Sequence, residues 1–136
     1  MDLYKAMTVS AAGMKAQGTR LKVIAENLAN ANTTAETPGD MPYRRKVVTF
    51  QNMLDRQAGV DTVRINKIDV DKSDFQRKYD PTHPSADSEG YVLMPNVNTL
   101  VEAMDMREAQ RSYEANLTVV EATRTMLSRT IEILRA

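Results

Sequence analysis

Apolar residues recur at alternating three- and four-residue spacing at both ends of this 136-residue chain, and not in its middle. In the last third, Ala103, Met106, Tyr113, Leu117, Val120, Leu127, Ile131 and Leu134 share one register, broken by Gln110 and Arg124. Near the start, Leu3, Met7, Met14, Leu21, Ile24 and Leu28 keep a similar one, broken by Ser10 and Gln17. A helical turn gathers each set into a stripe. Two long amphipathic helices at the ends of a short chain hide their stripes against each other or against other chains. The spacing predicts a mainly α fold with a small β insert: long N- and C-terminal helices paired as a coiled-coil-like unit, with a short β-rich segment between them. Residues 1–32 form the N-terminal helix, 33–98 a loop and β-rich insert, and 99–136 the C-terminal helix.

The first helix contains Gly13 and Gly18, each costing about 0.5–1 kcal/mol against Ala, so it is weak alone. It runs out in an Asn-rich stretch, 27–32, where Asn tolerates the left-handed conformation that closes helices. In the insert, 47–50 favours strand. Segments 63–65 and 68–70 read as two short strands around an Asn66-Lys67 turn, and 91–94 as another. Pro95 blocks an early start to the second helix, and Thr99 with Glu102 fits a capping box. A second apolar strip on that helix, Val119, Ala122, Met126 and Ile133, suggests contacts to two or more helices.

Chemistry is sparse. Eighteen basic and eighteen acidic residues give zero net charge, which removes the electrostatic case for nucleic-acid binding. Without Cys there is no disulfide framework, thiolate metal site or Cys nucleophile. No apolar run approaches the roughly 20 residues of a membrane span, and the start lacks the basic and apolar regions of a cleaved secretory signal. Nine Met and no Trp suit adaptable helix–helix surfaces. The sole histidine, His83, is a general base or metal ligand on one reading and a turn residue in a Pro-flanked loop on the other. The lack of a second His favours the turn. Residues 69–74 resemble the start of a calcium-binding loop, but Asp74 stands where that loop needs Gly and Asp80 where it needs Glu. Arg44-Arg45-Lys46 reads as a solvated strand end or a contact for an acidic partner. No catalytic, metal or cofactor site is expected.

Longer motifs point to a family. Ser10-Ala11-Ala12-Gly13-Met14 and the run from Ile24 to Thr33, IAENLANANT, resemble the N-terminal motif of bacterial flagellar rod, hook and filament-junction proteins. Pro42-Tyr43-Arg44-Arg45-Lys46-Val47, His83-Pro84-Ser85-Ala86-Asp87, Gly90-Tyr91-Val92, Pro95-Asn96-Val97-Asn98 and Arg111-Ser112-Tyr113-Glu114-Ala115-Asn116 continue the likeness to its short proximal-rod members, in order and over nearly the whole chain.

The resemblance implies a structural subunit of the drive shaft that transmits torque. It implies export by the flagellar type III apparatus without a cleaved signal, and helical stacking in the periplasmic rod of the basal body. The implied partners are copies of itself, other rod proteins, a rod-base adaptor at the membrane ring and the export apparatus, with no nucleic acid and no membrane insertion. The terminal helices would form a tube around the export channel, with the insert further out. The candidate assembly residues are Leu21, Ile24, Asn27, Leu28, Asn30, Tyr113, Leu117, Val120, Leu127, Ile131 and Leu134. Asn27 and Asn30 either fix helix register or simply end the helix; Gln110 and Arg124 set register or face the channel. A soluble helical adaptor for one partner helix would show the same stripes, and an enzyme would need a pocket around His83.

Overall fold

A computed structural model describes residues 2–136; Met1, within the first predicted segment, lies outside the described residues. The order is α1 (Leu3–Ala29), β1 (Lys46–Asp55), β2 (Val60–Val70), β3 (Gln76–Tyr79), β4 (Tyr91–Met94) and α2 (Thr99–Arg135). The fold is mainly α with a small β insert made of two two-stranded sheets, β1–β2 and β3–β4.

The helix ends follow from their side chains. Asp2 opens α1, its carboxylate accepting from the Lys5 N–H at 2.7 Å. Asn98, not Thr99, caps α2: its Oδ1 accepts from the N–H groups of Leu100 (3.1 Å) and Val101 (3.3 Å). Glu102 therefore does not complete a capping box; its carboxylate is turned inward. The Asn-rich end of α1 closes without the left-handed Asn that its composition suggests, because only glycines among the described residues have positive φ.

The insert differs from the periodicity reading in two places. β2 runs unbroken through Asn66 and Lys67, which lack the glycine that a two-residue hairpin turn needs. The chain reverses earlier, where Asp55 Oδ1 accepts from the N–H groups of Gln57 (2.9 Å) and Ala58 (3.1 Å) and Gly59 takes φ +66°. β3 is exposed at all four positions and owes its strand state to antiparallel pairing with β4, in register Gln76↔Met94 to Tyr79↔Tyr91.

The chain folds as two compact units. The first takes in α1 up to Leu21, residues Thr49–Lys67 of the hairpin, and α2 from Arg107 onward. Within it the helices run antiparallel: Gly13 faces Asn116, Gly18 faces Tyr113, and Arg20 lies 3.5 Å from Glu108. A Cβ on Gly13 would sit 2.8 Å from Asn116 Nδ2, so the Asn116 side chain would have to shift to admit a larger residue. The second unit, Lys22–Val48 with Ile68–Met106, buries Val23, Ile24, Asn27, Val92 and Glu102. Its β3–β4 turn depends on Gly90, at φ +84°, where a Cβ would meet the Tyr79 ring at 3.0 Å and Pro81 at 3.1 Å.

Candidate assembly surface

In the second unit the polar groups converge. Asn27 and Glu102 are each 1% exposed. Asn27 Oδ1 accepts from the Lys46 N–H (2.9 Å) and the Tyr43 hydroxyl (2.8 Å); its Nδ2 donates to the Lys46 carbonyl (2.8 Å) and Glu102 Oε2 (3.2 Å). The other Glu102 oxygen accepts from Arg45 Nε. Arg45 also reaches Asp71 at 3.5 Å and Asp105 at 3.8 Å. Asn96 accepts from the Arg45 N–H (2.8 Å) and donates to the Asp71 carbonyl (3.0 Å). Burial works against the charge of Arg45, but Glu102 and Asp71 outweigh it and raise its pKa. The Ser73 N–H and hydroxyl, with help from Arg45, lower that of Asp71. Burial raises that of the Tyr43 hydroxyl.

The basic cluster is therefore engaged internally. Arg44 donates to the carbonyls of Asp71 (3.0 Å) and Ser73 (3.1 Å) and lies 4.2 Å over the Phe75 ring; Lys46 pairs with Glu26 at 3.0 Å. Asp71, within the calcium-loop likeness, is committed to Ser73 and Arg45, and no group of three or more metal-ligating side chains occurs among the described residues. His83 takes the turn role. Its Nδ1 accepts from the Ser85 N–H at 3.1 Å, which leaves Nε2 to donate to the Thr34 hydroxyl at 3.1 Å.

In the first unit, the predicted stripes are not the buried seam. The interior positions are Ser10, Gly13 and Ala16 on α1, and Ala109 and Thr123 on α2, with Asn116 half-buried between them. Ala109, Asn116 and Thr123 recur every seven residues, a heptad seam that apolar periodicity hides because its residues are small or polar. Ser10, read as an interruption, belongs to the contact. The apolar stripes flank it. Leu3, Met7, Met14 and Leu21 are half-buried, as are Tyr113 and Val120; Leu117, Leu127, Ile131 and Leu134 are exposed, Leu127 at 38% and Leu134 at 79%. In the second unit Ile24 and Asn27 are buried, and Leu28 and Asn30 half-buried.

Pairing Gly13 with Asn116 in antiparallel register sets Leu3 opposite about position 126. The last turns of α2 then extend roughly 15 Å past α1, and every residue from Arg124 onward is exposed. The second strip is open too, at Val119, Met126 and Ile133. No helix among the described residues is long and apolar enough to cross a membrane.

Known proteins carry the same arrangement of sequence. Residues 7–35 match the family model described as flagella basal body rod protein, and residues 88–133 that described as flagellar basal body rod FlgEFG protein C-terminal. The chain is 50% identical over 134 residues to the flagellar basal-body rod protein FlgC of Agrobacterium fabrum, covering 98% of this chain and 96% of the relative. It is 42% identical over 149 residues to FlgC of Bacillus subtilis (98% and 99% covered). Against FlgC of Escherichia coli O157:H7 it is 36% identical over 135 residues (98% of each). With its terminal helices, its outward apolar stripes and this likeness along its whole length, the chain belongs to the FlgC family of flagellar basal-body rod proteins and is a structural rod subunit of the basal body.

Proposed function

We propose that this subunit assembles helically with copies of itself and with other rod proteins of the periplasmic proximal rod. In that rod it transmits torque and surrounds the export channel. It reaches the site through the flagellar type III apparatus, and contacts a rod-base adaptor at the membrane ring. The terminal segments, 1–32 and 99–136, act as the coiled-coil domain and 33–98 as the insert. One observation carries this reading: the seam inside the helix pair is small and polar, while Leu117, Leu127, Ile131 and Leu134 remain outside it. Subunits that meet head-to-tail without closing a ring build a filament, and burying such aliphatic side chains supplies about 1.5–3 kcal/mol each.

Two strips on α2 favour several neighbours over the single partner helix of a soluble adaptor. Leu21, Leu28, Tyr113, Leu117, Val120, Leu127, Ile131 and Leu134 are the proposed contacts. Ile24, Asn27 and Asn30 serve assembly through the fold.

Leu127→Asp tests this directly. Leu127 is exposed, so the variant chain keeps its unfolding free energy within about 0.5 kcal/mol. Cells carrying it as their only copy build no rod and do not swim. Intact rods and normal swimming would remove the seam assignment.

A further inference from the structure

Two asparagines three residues apart do different work at the end of α1. Asn30 closes the helix: its Nδ2 donates to the Glu26 carbonyl at 2.8 Å, and its Oδ1 accepts from the Thr33 hydroxyl at 3.1 Å. Asn27 does something else. Its side-chain amide meets both backbone groups of Lys46, as a neighbouring strand would. Backbone groups alternate sides along a strand. The Arg45 carbonyl accepts from the Asp71 N–H at 2.8 Å on the side of the returning chain, so the Lys46 groups face away from it. A side chain from a helix thus stands where a third strand would pair.

The amide has two donors and two acceptor sites, and all four are engaged. The remaining two hold Tyr43, ahead of β1, and Glu102, on α2.

We infer that Asn27 and Glu102 form a register lock, setting in one step where β1 begins and how far α2 has slid along α1 within the second unit. A slip of α2 by one turn moves Glu102 by about 5.4 Å, out of reach of Asn27 and Arg45, and strands a buried carboxylate. A one-residue slip of β1 turns Arg45 to the opposite face and presents the wrong backbone groups to Asn27. Each slip breaks bonds that the other register needs, so the two are selected together. Arg45 carries the lock on to Asp71 and Asp105. Asn27 and Glu102 are positioning residues here, buried by their own chain rather than offered to a neighbour.

Amide hydrogen exchange on the purified full-length chain tests the lock. Asn27→Ala speeds exchange at the Lys46 and Asp71 amides by about tenfold or more. The Asp80 and Asp87 amides, bonded to the carbonyls of Gly90 and Tyr91 in the β3–β4 hairpin, stay as they were. Asn27→Asp alone sets a carboxylate against Glu102. Pairing it with Glu102→Gln lets an amide donate to the new carboxylate and restores part of the lost protection, while the Lys46 carbonyl, to which an ionised Asp cannot donate, stays without that bond. The inference is overturned if Lys46 is unprotected in the unmodified chain or unchanged by Asn27→Ala. It is equally overturned if Asp80 and Asp87 accelerate as much, or if the double variant is no better protected than Asn27→Asp.

Discussion

The two units hold themselves together by opposite means. In the second, a few buried polar groups bond to one another until little capacity is left: Asn27, Glu102, Arg45, Tyr43 and Asn96 share one network. In the first, two helices meet at small or polar residues, flanked by half-buried Leu, Met and Val, and the aliphatic residues of the last turns of α2 stay exposed. Directional bonds that are costly to leave unmade specify one geometry. Aliphatic stripes are non-directional and suit surfaces that several neighbours cover. Four of the seven buried hydrophobic residues among the described residues are alanines, so few large aliphatic side chains are buried within the described chain.

The contrast is open to attack at several points. The strongest is Glu102→Ala, which leaves Arg45 without its buried carboxylate and should cost about 3–5 kcal/mol in denaturant unfolding. A Glu102→Ala chain as stable as Leu127→Asp would erase the distinction between the units. Next is Gly90→Ala. The φ of +84° and the contacts with Tyr79 and Pro81 predict a loss of about 1–3 kcal/mol, whereas Gly39→Ala, at φ +92° with nothing within 4 Å, carries the backbone strain without the clash. Equal losses would mean that the β3–β4 turn is looser than its contacts.

A smaller effect separates the two helix glycines. Alanine gains roughly 0.5–1 kcal/mol of helix propensity at either position. At Gly18 the nearest atom is Tyr113 Cε2 at 4.0 Å and the gain is realised. At Gly13 the Asn116 side chain must move first, which offsets it. Gly18→Ala should melt at the higher temperature, and the reverse order would break the antiparallel register.

The mildest prediction concerns pH. Ser73 and Arg45 lower the pKa of Asp71, and Lys46 lowers that of Glu26. A carboxylate with a lowered folded pKa stabilises fully above its unfolded value, about 4. That contribution disappears as pH falls through the folded value. The second unit should loosen below about pH 4, with no change from these groups between pH 5 and 8. Asp71→Asn should flatten part of that acid slope in a pH series of unfolding curves.

Much of this was legible in one dimension. The start of α2 at Thr99, strand β4 and the extent of α1 follow from local periodicity and from Pro95. The unbroken β2 was not legible, since its Asn66-Lys67 centre looks like a turn until the Asp55–Gly59 reversal is seen to supply one. Nor was β3, a polar Gln-Arg-Lys-Tyr segment that becomes a strand only against β4. Glu102 looked like a capping residue because its true partners are distant: Asn27 is 75 positions away.

The sequence by itself determined two amphipathic helices, a β insert between them and membership of a rod family, because helical spacing and ordered motifs are properties of the chain alone. Which stripe is seam and which is surface was decided only in three dimensions. Periodicity reports that a face will be covered, but the covering group is chosen by close approach, as at Gly13 and Asn116. A buried polar residue such as Asn27 resembles a surface one until Lys46, 19 positions further on, folds back to meet it.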